Sequence, residues 1–595
     1  MRGRFGLKRV WASRWHWAFT IAIVIYPLLW IWQGLDFTDT GFAITNYNLI
    51  FRDPHSIHYW GFNYWLTDVV GGVWLLAFGK LGLFGIRLAS ALLMLATNYL
   101  VYRLYRGWMA KGVLLLTILV GETLIERMYW LNYDNLSAFL FVVSGFFLIR
   151  GLAMRSSTRV FLAGLVLGVN MFARVTNAAG LVMILAIFIS AAATHTTVRK
   201  QIAQAVFFLL GVIGASAAVI LAMRGMGQWT DFVENLGTLF SIAGGHGNTH
   251  SSASLLTQLM HDQTFAWRTV LYALAVFLCL SLGNFLLKRV KPHVSQVIFN
   301  GVSLLTVIYI LGDGWQDRFQ MVAGLTGILY GTLIFSLMVA LRRKDGVLAS
   351  ATSVSLLILF SVPLGSDFGI RLSVYGMYLA LPLASHLLWT ILPAFRNLNR
   401  IGWTSTSLRS VLIILLLGLF TVGLISGYQY TYRDVPNRLS MTEPLKNAKL
   451  QFVYTTAARA NVTNQLLDVL PTFVHPNDVL MAYEETSLLY YLTDSRPYLN
   501  TSWPMLYDPN RFQSALKQAE QSHHRLPVVV RATGATADFY WPNVTHLRLD
   551  YRHNMDRALM NLFLKQHHYL LAWENSFFQI LVPPNFKPGS SQPGR

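Results

Sequence analysis

Two carboxylates follow the first hydrophobic run of the chain, in the segment DFTDTGF (36–42). Asp36 and Asp39 are three residues apart. A carboxylate at a membrane surface can act as a general base that takes a proton from a hydroxyl group, but Asp also commonly binds the backbone of the turn that follows it. The segment therefore predicts either a catalytic carboxylate or a cap for the turn at Asp39-Thr40-Gly41, and both interpretations stay open.

Arginines at the ends of other hydrophobic runs supply the opposite charge. Arg pairs with phosphate in bidentate fashion, and ionisable groups at helix ends in membrane proteins either serve function or extend to the aqueous interface. Arg174 and Arg371 are the preferred pair, while Asp367 is either a substrate contact or the structural partner of Arg371. The further residues that we expect to contact a substrate are Arg87, Tyr64 and His58.

Histidines near these residues raise the question of a metal site. His55 and His58 are three residues apart on a stretch that also carries Asp53, a combination compatible with a site but common by chance. His246 and His250 follow much later in the chain. We expect no bound cofactor, and a divalent metal is the less favoured alternative.

The elements that must position these side chains are membrane helices. Of the 595 residues, 54% are hydrophobic and 12% are charged, against about 25% charged in an ordinary soluble domain. Several apolar runs approach the roughly 20 residues that a helix needs to cross the hydrocarbon core. We predict a polytopic α-helical membrane protein with about 13 transmembrane helices, near 17–32, 86–102, 112–129, 136–152, 160–173, 177–194, 203–222, 267–287, 295–311, 319–340, 348–364, 372–392 and 411–428.

The distribution of Lys and Arg predicts the orientation of these helices. If the N-terminus is cytoplasmic, the basic clusters between hydrophobic runs all fall on the cytoplasmic side, as the positive-inside rule requires. Most Asp residues, including Asp36 and Asp39, then fall on the other side. We therefore expect a multi-pass cell-membrane protein with a cytoplasmic N-terminus and its chemistry on the external face.

Net charge and cysteine content exclude other classes. The formal charge is +20, but the basic residues do not form the single soluble stripe that nucleic-acid binding requires. The single cysteine, Cys279, lies in a hydrophobic run, which excludes an intrachain disulfide and a cysteine metal cluster. Membrane lipids and a substrate are the expected partners, and nucleic acid is not.

Two regions outside the spans have structure of their own. Residues 33–85 form the first external loop, which we call loop one. Its segment 60–85 is apolar enough to span, but spanning would make the basic clusters alternate sides, so we predict helices that lie along the membrane interface.

The residues after the transmembrane domain (1–428) are polar. We predict that residues 429–582 form an external α/β domain. The tail 583–595 is rich in Pro, Gly and Ser, and we expect it to be disordered. Hydrophobic patterning in the domain predicts strands near 478–483, 527–531 and 577–582 and helices near 455–470, 510–522 and 553–567.

Three stretches resemble the GT-C glycosyltransferases, in particular the branch that contains protein O-mannosyltransferases and the lipid A aminoarabinose transferase. They are 36–42 (DFTDTGF), 64–106 (with YWL, FG, RLASALL and YRLYR in that order) and 163–180 (AGLVLGVNMFARVTNAAG). The family commonly has adjacent or near-adjacent acidic residues at the start of this loop, whereas Asp36 and Asp39 are three apart. The choice between the two therefore stays open.

The resemblance implies a membrane glycosyltransferase that moves a sugar from a polyprenyl-phosphate-linked donor to a glycan, lipid or protein acceptor on the external side. It implies a base at Asp36 or Asp39 and phosphate binding by Arg174 and Arg371. Two alternatives stay open: a transporter or flippase for a lipid-linked or polar substrate, and a non-catalytic protein of cell-envelope polymer assembly. Glu122 and Glu126, inside a predicted span, most favour the transporter.

Overall fold

The computed structural model describes residues 15–125, 130–244, 251–288, 297, 301, 318–366, 368–395, 404–523, 525–543, 551–584 and 586. Helices dominate the part before residue 430. They are α1 (Trp15–Leu28), α2 (Asp39–Leu49), α3 (Trp65–Phe78), α4 (Gly82–Tyr105), α5 (Lys111–Leu124), α6 (Tyr133–Ala153), α7 (Ser157–Ala173), α8 (Leu185–Thr194), α9 (Val198–Gly225), α10 (Trp229–Gly244), α11 (Ser252–Lys288), α12 (Arg318–Arg343), α13 (Gly346–Ser361), α14 (Ser373–His386) and α15 (Ser405–Gln429).

The described helices make the chain a multi-pass membrane protein. Eight helical stretches in the described part are long and apolar enough to cross a membrane, and α1, α7 and α13 are shorter apolar helices. Twelve predicted spans coincide with helices, and 295–311 lies outside the described residues except at positions 297 and 301. The predicted architecture is confirmed, whereas the count of 13 is not.

Small residues allow α7 and α9 to pack closely. A Cβ atom on Gly164 would lie 1.9 Å from the Phe208 carbonyl oxygen, and one on Gly211 would lie 2.2 Å from the Phe161 carbonyl oxygen. Such close backbone approach is typical of helix pairs in membranes. It fixes α7, whose last turn precedes the candidate residue Arg174.

Loop one contains two helices of more than ten residues, α2 and α3, which differ in character. Most residues of α2 are buried. Helix α3 has 14 residues, about 21 Å at 1.5 Å per residue, which is shorter than the roughly 30 Å hydrocarbon core. Helix α4 has 24 residues and is long enough to span by itself. The interfacial position of 60–85 stays a prediction.

The C-terminal part consists of short strands and helices. They are β1 (Glu443–Pro444), β2 (Tyr454–Thr455), α16 (Ala457–Val469), β3 (Val479–Tyr483), α17 (Leu488–Thr493), β4 (Arg496–Pro497), α18 (Pro509–Ser522), β5 (Val528–Ala532), α19 (Tyr551–Gln566), β6 (Leu570–Glu574) and β7 (Phe578–Val582). Five strands form a sheet in the order β4-β3-β5-β7-β6. Strand β3 pairs in parallel with β4 and β5, and β7 pairs antiparallel with β5 and β6. The three predicted strands and three predicted helices coincide with elements of this fold, whereas β4 and β6 have no predicted counterpart.

Loop one and the C-terminal domain share one hydrophobic core. Leu35 and Phe37 are fully buried in the same cluster as Leu488 and Trp541. The Leu488 N–H donates to the Phe37 carbonyl at 2.9 Å, and a Cβ atom on Gly41 would lie 2.2 Å from the Leu488 nitrogen. The N-terminus of α2, with both candidate carboxylates, is therefore fixed directly against the C-terminal domain.

Candidate functional site

The side chain of Asp39 meets the segment that follows the last span. Arg433 Nη2 lies 2.6 Å from Asp39 Oδ2, and the Tyr432 hydroxyl donates to the same oxygen. The side chains of Asp39 and Arg433 are 24% and 17% exposed. Asp39 is in the first turn of α2, where the helix dipole favours a carboxylate. Asp39 is thus a paired carboxylate that a ligand can still reach.

Asp36 has a different environment, with only 3% of its surface exposed. The backbone N–H groups of Thr38 and Thr40 donate to its two carboxylate oxygens at 2.9 and 2.7 Å. Burial raises the pKa of Asp36, although the positive charge of Arg433 partly offsets this effect. Asp36 therefore binds the backbone at the start of α2, as a capping residue does, and which of the two carboxylates is the base stays a prediction.

Arg433 reaches the site from a left-handed backbone conformation, with a φ of +51°. Its guanidinium carbon lies 5.4 Å from the ring centroid of Tyr432 and 5.6 Å from that of Trp503. Arg433 Nη1 is buried and has no hydrogen-bond partner among the described residues. A buried donor without an acceptor costs free energy. A bound anion would supply the missing acceptor in a charge-assisted hydrogen bond.

A second guanidinium, that of Arg174, is linked to Asp39 through Tyr133. Arg174 directly follows α7, and its Nη1 lies 3.2 Å from Asp134 Oδ1. Its guanidinium carbon is 5.5 Å from the ring centroid of Tyr133, which stacks on Tyr64 with centroids 3.9 Å apart. The Tyr133 hydroxyl is near enough to Asp39 for an electrostatic interaction. The predicted residues Tyr64 and Arg174 thus both contact Tyr133, and their contact with a substrate stays a prediction.

Arg87 holds the backbone that leads into the site. It projects from α4 and is 4% exposed. Its guanidinium donates at 3.0, 3.3 and 2.6 Å to the carbonyl groups of Ile31, Gln33 and Gly34. These contacts fix the segment directly before Asp36. Arg87 therefore positions this segment, and its contact with a substrate stays a prediction.

The other predicted contacts lie on separate elements. Arg371 is exposed on a 3-10 turn, Gly369–Leu372, that packs on α11 and α12. Asp367 lies outside the described residues. His58 lies in loop one beside His55 and Glu234. Substrate contact by Arg371, Asp367 and His58 stays a prediction.

Tyr432 and Arg433 are candidates that the sequence patterns do not reveal. They are far from Asp39 in the chain, since Tyr432 is 393 residues away. One signal was available: Arg433 is the first basic residue after the last predicted span, 411–428. A basic residue at that membrane surface lies on the side assigned to Asp36 and Asp39.

Solved structures that align with this chain include an oligosaccharyltransferase and ArnT. The archaeal oligosaccharyltransferase AglB from Archaeoglobus fulgidus, in complex with an inhibitory peptide and a dolichol-phosphate, aligns with a TM-score of 0.42 and 12% identity over 88% of this chain and 70% of AglB. ArnT from Cupriavidus metallidurans bound to undecaprenyl phosphate aligns with a TM-score of 0.34 and 14% identity over 95% of this chain and 98% of ArnT. ArnT in the apo state gives a TM-score of 0.35 and 12% identity over 97% and 98% of the two chains.

AglB and ArnT are GT-C glycosyltransferases, the class that the sequence motifs resemble. No protein-family model and no curated protein matches the sequence. The function proposed next therefore rests on the side chains of the site rather than on these alignments.

Proposed function

We propose that this chain is a membrane glycosyltransferase that transfers a sugar from a polyprenyl-phosphate-linked donor to an acceptor hydroxyl group on the extracytoplasmic side. The observation that carries the proposal is the Asp39–Arg433 pair, together with Arg174 on the ring of Tyr133, whose hydroxyl interacts electrostatically with Asp39. It combines a ligand-accessible carboxylate with two guanidinium groups, and Arg433 keeps one N–H donor without a partner among the described residues. A base and a phosphate-binding site are the two parts that this reaction requires.

Asp39 is the general base of the proposed reaction. It takes the proton of the acceptor hydroxyl while the hydroxyl oxygen attacks the anomeric carbon of the sugar. The bond between the anomeric carbon and the phosphate oxygen breaks, and polyprenyl phosphate leaves with the bonding electron pair. A general base contributes about 10²–10⁴ to such a rate. Asp36 positions Asp39 by holding the turn before α2.

Arg433 and Arg174 bind the donor phosphate and offset the charge of the leaving group. Guanidinium groups pair with phosphate through two parallel hydrogen bonds, and preorganised cations of this kind act where charge develops in the transition state. Arg433 Nη2 holds Asp39 Oδ2 at 2.6 Å. A phosphate bound at the unpaired Nη1 draws the guanidinium charge away from Asp39, so that donor binding favours proton transfer to the base.

Aromatic side chains around the pair offer faces for the sugar. Trp130 and Tyr432 have ring centroids 5.2 Å apart, and Tyr64 stacks on Tyr133. The Nε1 atom of Trp503 is buried without a hydrogen-bond partner among the described residues. Rings with one apolar face and one polar edge suit a sugar, which has C–H faces and hydroxyl edges. These rings support a glycosyl donor over a bare phosphate.

The proposal places sugar transfer on the extracytoplasmic side, so it includes a prediction of how the chain is oriented in the membrane. Cysteine replaces exposed Ser440 in one variant and exposed Thr158 in another, in a background in which the native Cys279 is Ser. We expect an impermeant thiol reagent on intact cells to label position 440 and not position 158. The reverse pattern would contradict the orientation.

A transporter is the second candidate, and Glu122 is the observation that favours it. This carboxyl group is 1% exposed within α5, and its neighbours include Asn98 and Tyr378. Ionisable groups inside a membrane protein commonly mark an ion or substrate path. The transporter predicts loss of substrate flux in Glu122→Gln, whereas the glycosyltransferase predicts that sugar transfer survives this change.

The deciding experiment measures transfer of a radiolabelled sugar from a panel of polyprenyl-phosphate donors to a total envelope extract by the purified chain. We expect Asp39→Asn to lower the rate by about 10²–10⁴. The matched control is Asp53→Asn, because Asp53 is also in loop one, 30% exposed and 3.8 Å from an arginine, Arg496. Full activity of Asp39→Asn would disprove the base, and lack of reaction with every donor would favour the transporter.

A further inference from the structure

Outside the Asp39 site, two histidines and two carboxylates converge from loop one and α10. His55 Nδ1 lies 3.0 Å from Asp231 Oδ1, and His58 Nε2 lies 3.9 Å from Glu234 Oε2. Candidate ligand atoms of His55, His58 and Asp231 all lie within 4.8 Å of one another. The two imidazole rings stack with centroids 4.7 Å apart. Two carboxylates and two imidazoles from separate elements therefore meet in one small volume.

A hydrogen bond at Nδ1 of His58 leaves the other ring nitrogen, Nε2, able to bind a metal. His58 Nδ1 lies 2.6 Å from the His55 carbonyl oxygen. Because a carbonyl only accepts, Nδ1 carries the hydrogen and Nε2 keeps its lone pair. A ring N–H bound to a backbone carbonyl is the usual second contact of a metal-binding histidine. The Nε2 lone pair faces Glu234 across 3.9 Å, which is too long for a hydrogen bond.

We propose that His55, His58 and Asp231, together with Glu234, bind a divalent transition metal, and that Zn²⁺ fits best. Ligand atoms about 2.0–2.2 Å from one ion are at most roughly 4.4 Å apart. The side chain of His55 is 63% exposed, so a small rotation brings it within this limit. Imidazole ligands favour Zn²⁺ over Mg²⁺ and Ca²⁺, which prefer oxygen. A divalent ion also neutralises the two carboxylates when both rings are neutral.

The metal would join loop one to α10 at a point where other contacts already bring them together. Asn235 Oδ1 accepts from the Trp60 N–H at 2.8 Å, and Trp65 Nε1 donates to Gln228 Oε1 at 2.7 Å. Trp60 has a φ of +66°, a conformation that non-glycine residues rarely adopt. The ion would secure this strained turn. Its role is structural and independent of the sugar transfer proposed for Asp39.

The test uses the full chain in detergent, without a polyhistidine tag and after removal of metal with a chelator. Zn²⁺, Mg²⁺ and Co²⁺ are titrated separately, with bound metal measured by elemental analysis and Co²⁺ also followed by its visible absorption. We expect one Zn²⁺ per chain, an upward shift of the unfolding temperature as Zn²⁺ binds the folded state, and a Co²⁺ spectrum typical of nitrogen and oxygen ligands.

Two variants and one control locate the site. His55→Ala alters a side chain that is 63% exposed, and Asp231→Asn keeps the shape of the carboxylate, so neither change disturbs a core. Each removes a direct ligand, so each should weaken Zn²⁺ affinity by at least the roughly 10–100-fold that loss of an outer-shell partner costs, and should reduce the shift in unfolding temperature accordingly. The control is His567→Ala, because His567 also faces a carboxylate, Glu520, at 2.9 Å but outside this cluster. Unchanged Zn²⁺ binding in both variants, an equal loss in the control, or Mg²⁺ binding as tight as Zn²⁺ would overturn the proposal.

Discussion

Residues 433 and 434 are neighbours in the chain, yet they form two different kinds of ion pair. Arg459 Nη1 lies 2.7 Å from Asp434 Oδ1, and both of these side chains are 0% exposed. Arg433 pairs with Asp39 at 2.6 Å, and both of those side chains are partly exposed. Both are Arg–Asp pairs and they involve adjacent residues, but one pair is fully buried and the other is partly exposed.

The buried pair is fully hydrogen-bonded by the protein itself. Asp434 Oδ2 accepts from the Leu35 N–H at 2.6 Å and from the Thr455 hydroxyl at 2.9 Å. The Arg459 guanidinium donates to the backbone carbonyl groups of Trp541, Arg433, Asp538 and Phe539. Because buried charges are costly unless paired and hydrogen-bonded, this arrangement joins loop one, the 432–434 segment and the C-terminal domain.

The exposed pair is incomplete in a way that the buried pair is not. Arg433 Nη1 has no partner among the described residues, whereas each guanidinium nitrogen of Arg459 has one. A purely structural pair would have little reason to keep a buried donor unsatisfied. Arg459–Asp434 therefore holds the two parts of the chain together, whereas we propose that Arg433–Asp39 binds a ligand.

The largest expected effect is on stability, in Arg459→Met. Removing one partner of a buried ion pair leaves an uncompensated charge and typically costs about 3–5 kcal/mol. We expect a large fall in the unfolding temperature of the detergent-purified protein, and activity should be lost together with the fold. A variant that unfolds at the wild-type temperature would contradict the structural role of the buried pair.

A smaller effect, confined to activity, is expected for Arg433→Gln. Loss of one preorganised donor at a developing charge costs about 10²–10³ in rate, while the partial exposure of the pair keeps the change in unfolding temperature small. Sugar transfer and thermal unfolding are measured on the same preparation. Arg52→Gln is the control, since Arg52 is 42% exposed and also pairs with an aspartate, Asp494. A fall in stability as large as that of Arg459→Met would erase the distinction between the two pairs.

Hydrophobic patterning was sufficient to predict most of the fold. Apolar runs identified the spans, because a helix in lipid must satisfy its own backbone, and buried strands such as β3 and β5 are short apolar runs with clear polar ends. Only residues 567–569 separate α19 from strand β6. The sequence therefore shows no clear boundary between the end of the helix and the start of the strand. Helix α3 shows a further limit of hydrophobic patterning. Its composition is that of a transmembrane helix, and only its length of 14 residues distinguishes it from one.

The sequence predicts only some residues of the candidate site. Asp36, Asp39 and Arg174 are recognisable from their positions at the ends of apolar runs. Contacts between distant parts of the chain, such as Tyr432 with Asp39, depend on how the C-terminal domain packs against loop one, which no local pattern encodes. The separation of roles between Asp36 and Asp39 also depends on backbone geometry, since two N–H groups point at one carboxylate and not at the other.

The smallest expected effect, Asp36→Asn, tests whether the two carboxylates of loop one differ as the two ion pairs do. The Asp36 carboxylate accepts from two backbone N–H groups, those of Thr38 and Thr40. Asparagine has only one acceptor oxygen, so its NH₂ group must face one of these donors, and an unsatisfied buried donor costs about 1–3 kcal/mol.

At Asp39 the same substitution has the opposite consequence, because Arg433 and Tyr432 both donate to the single atom Oδ2. The amide oxygen of Asn can take that place, so we expect Asp39→Asn to unfold at nearly the wild-type temperature while losing sugar transfer. Asp36→Asn should unfold earlier and yet retain most of its transfer rate below that temperature. If Asp36→Asn instead lost activity without losing stability, Asp36 would be the base and the Asp39–Arg433 pair would be structural, like its buried neighbour.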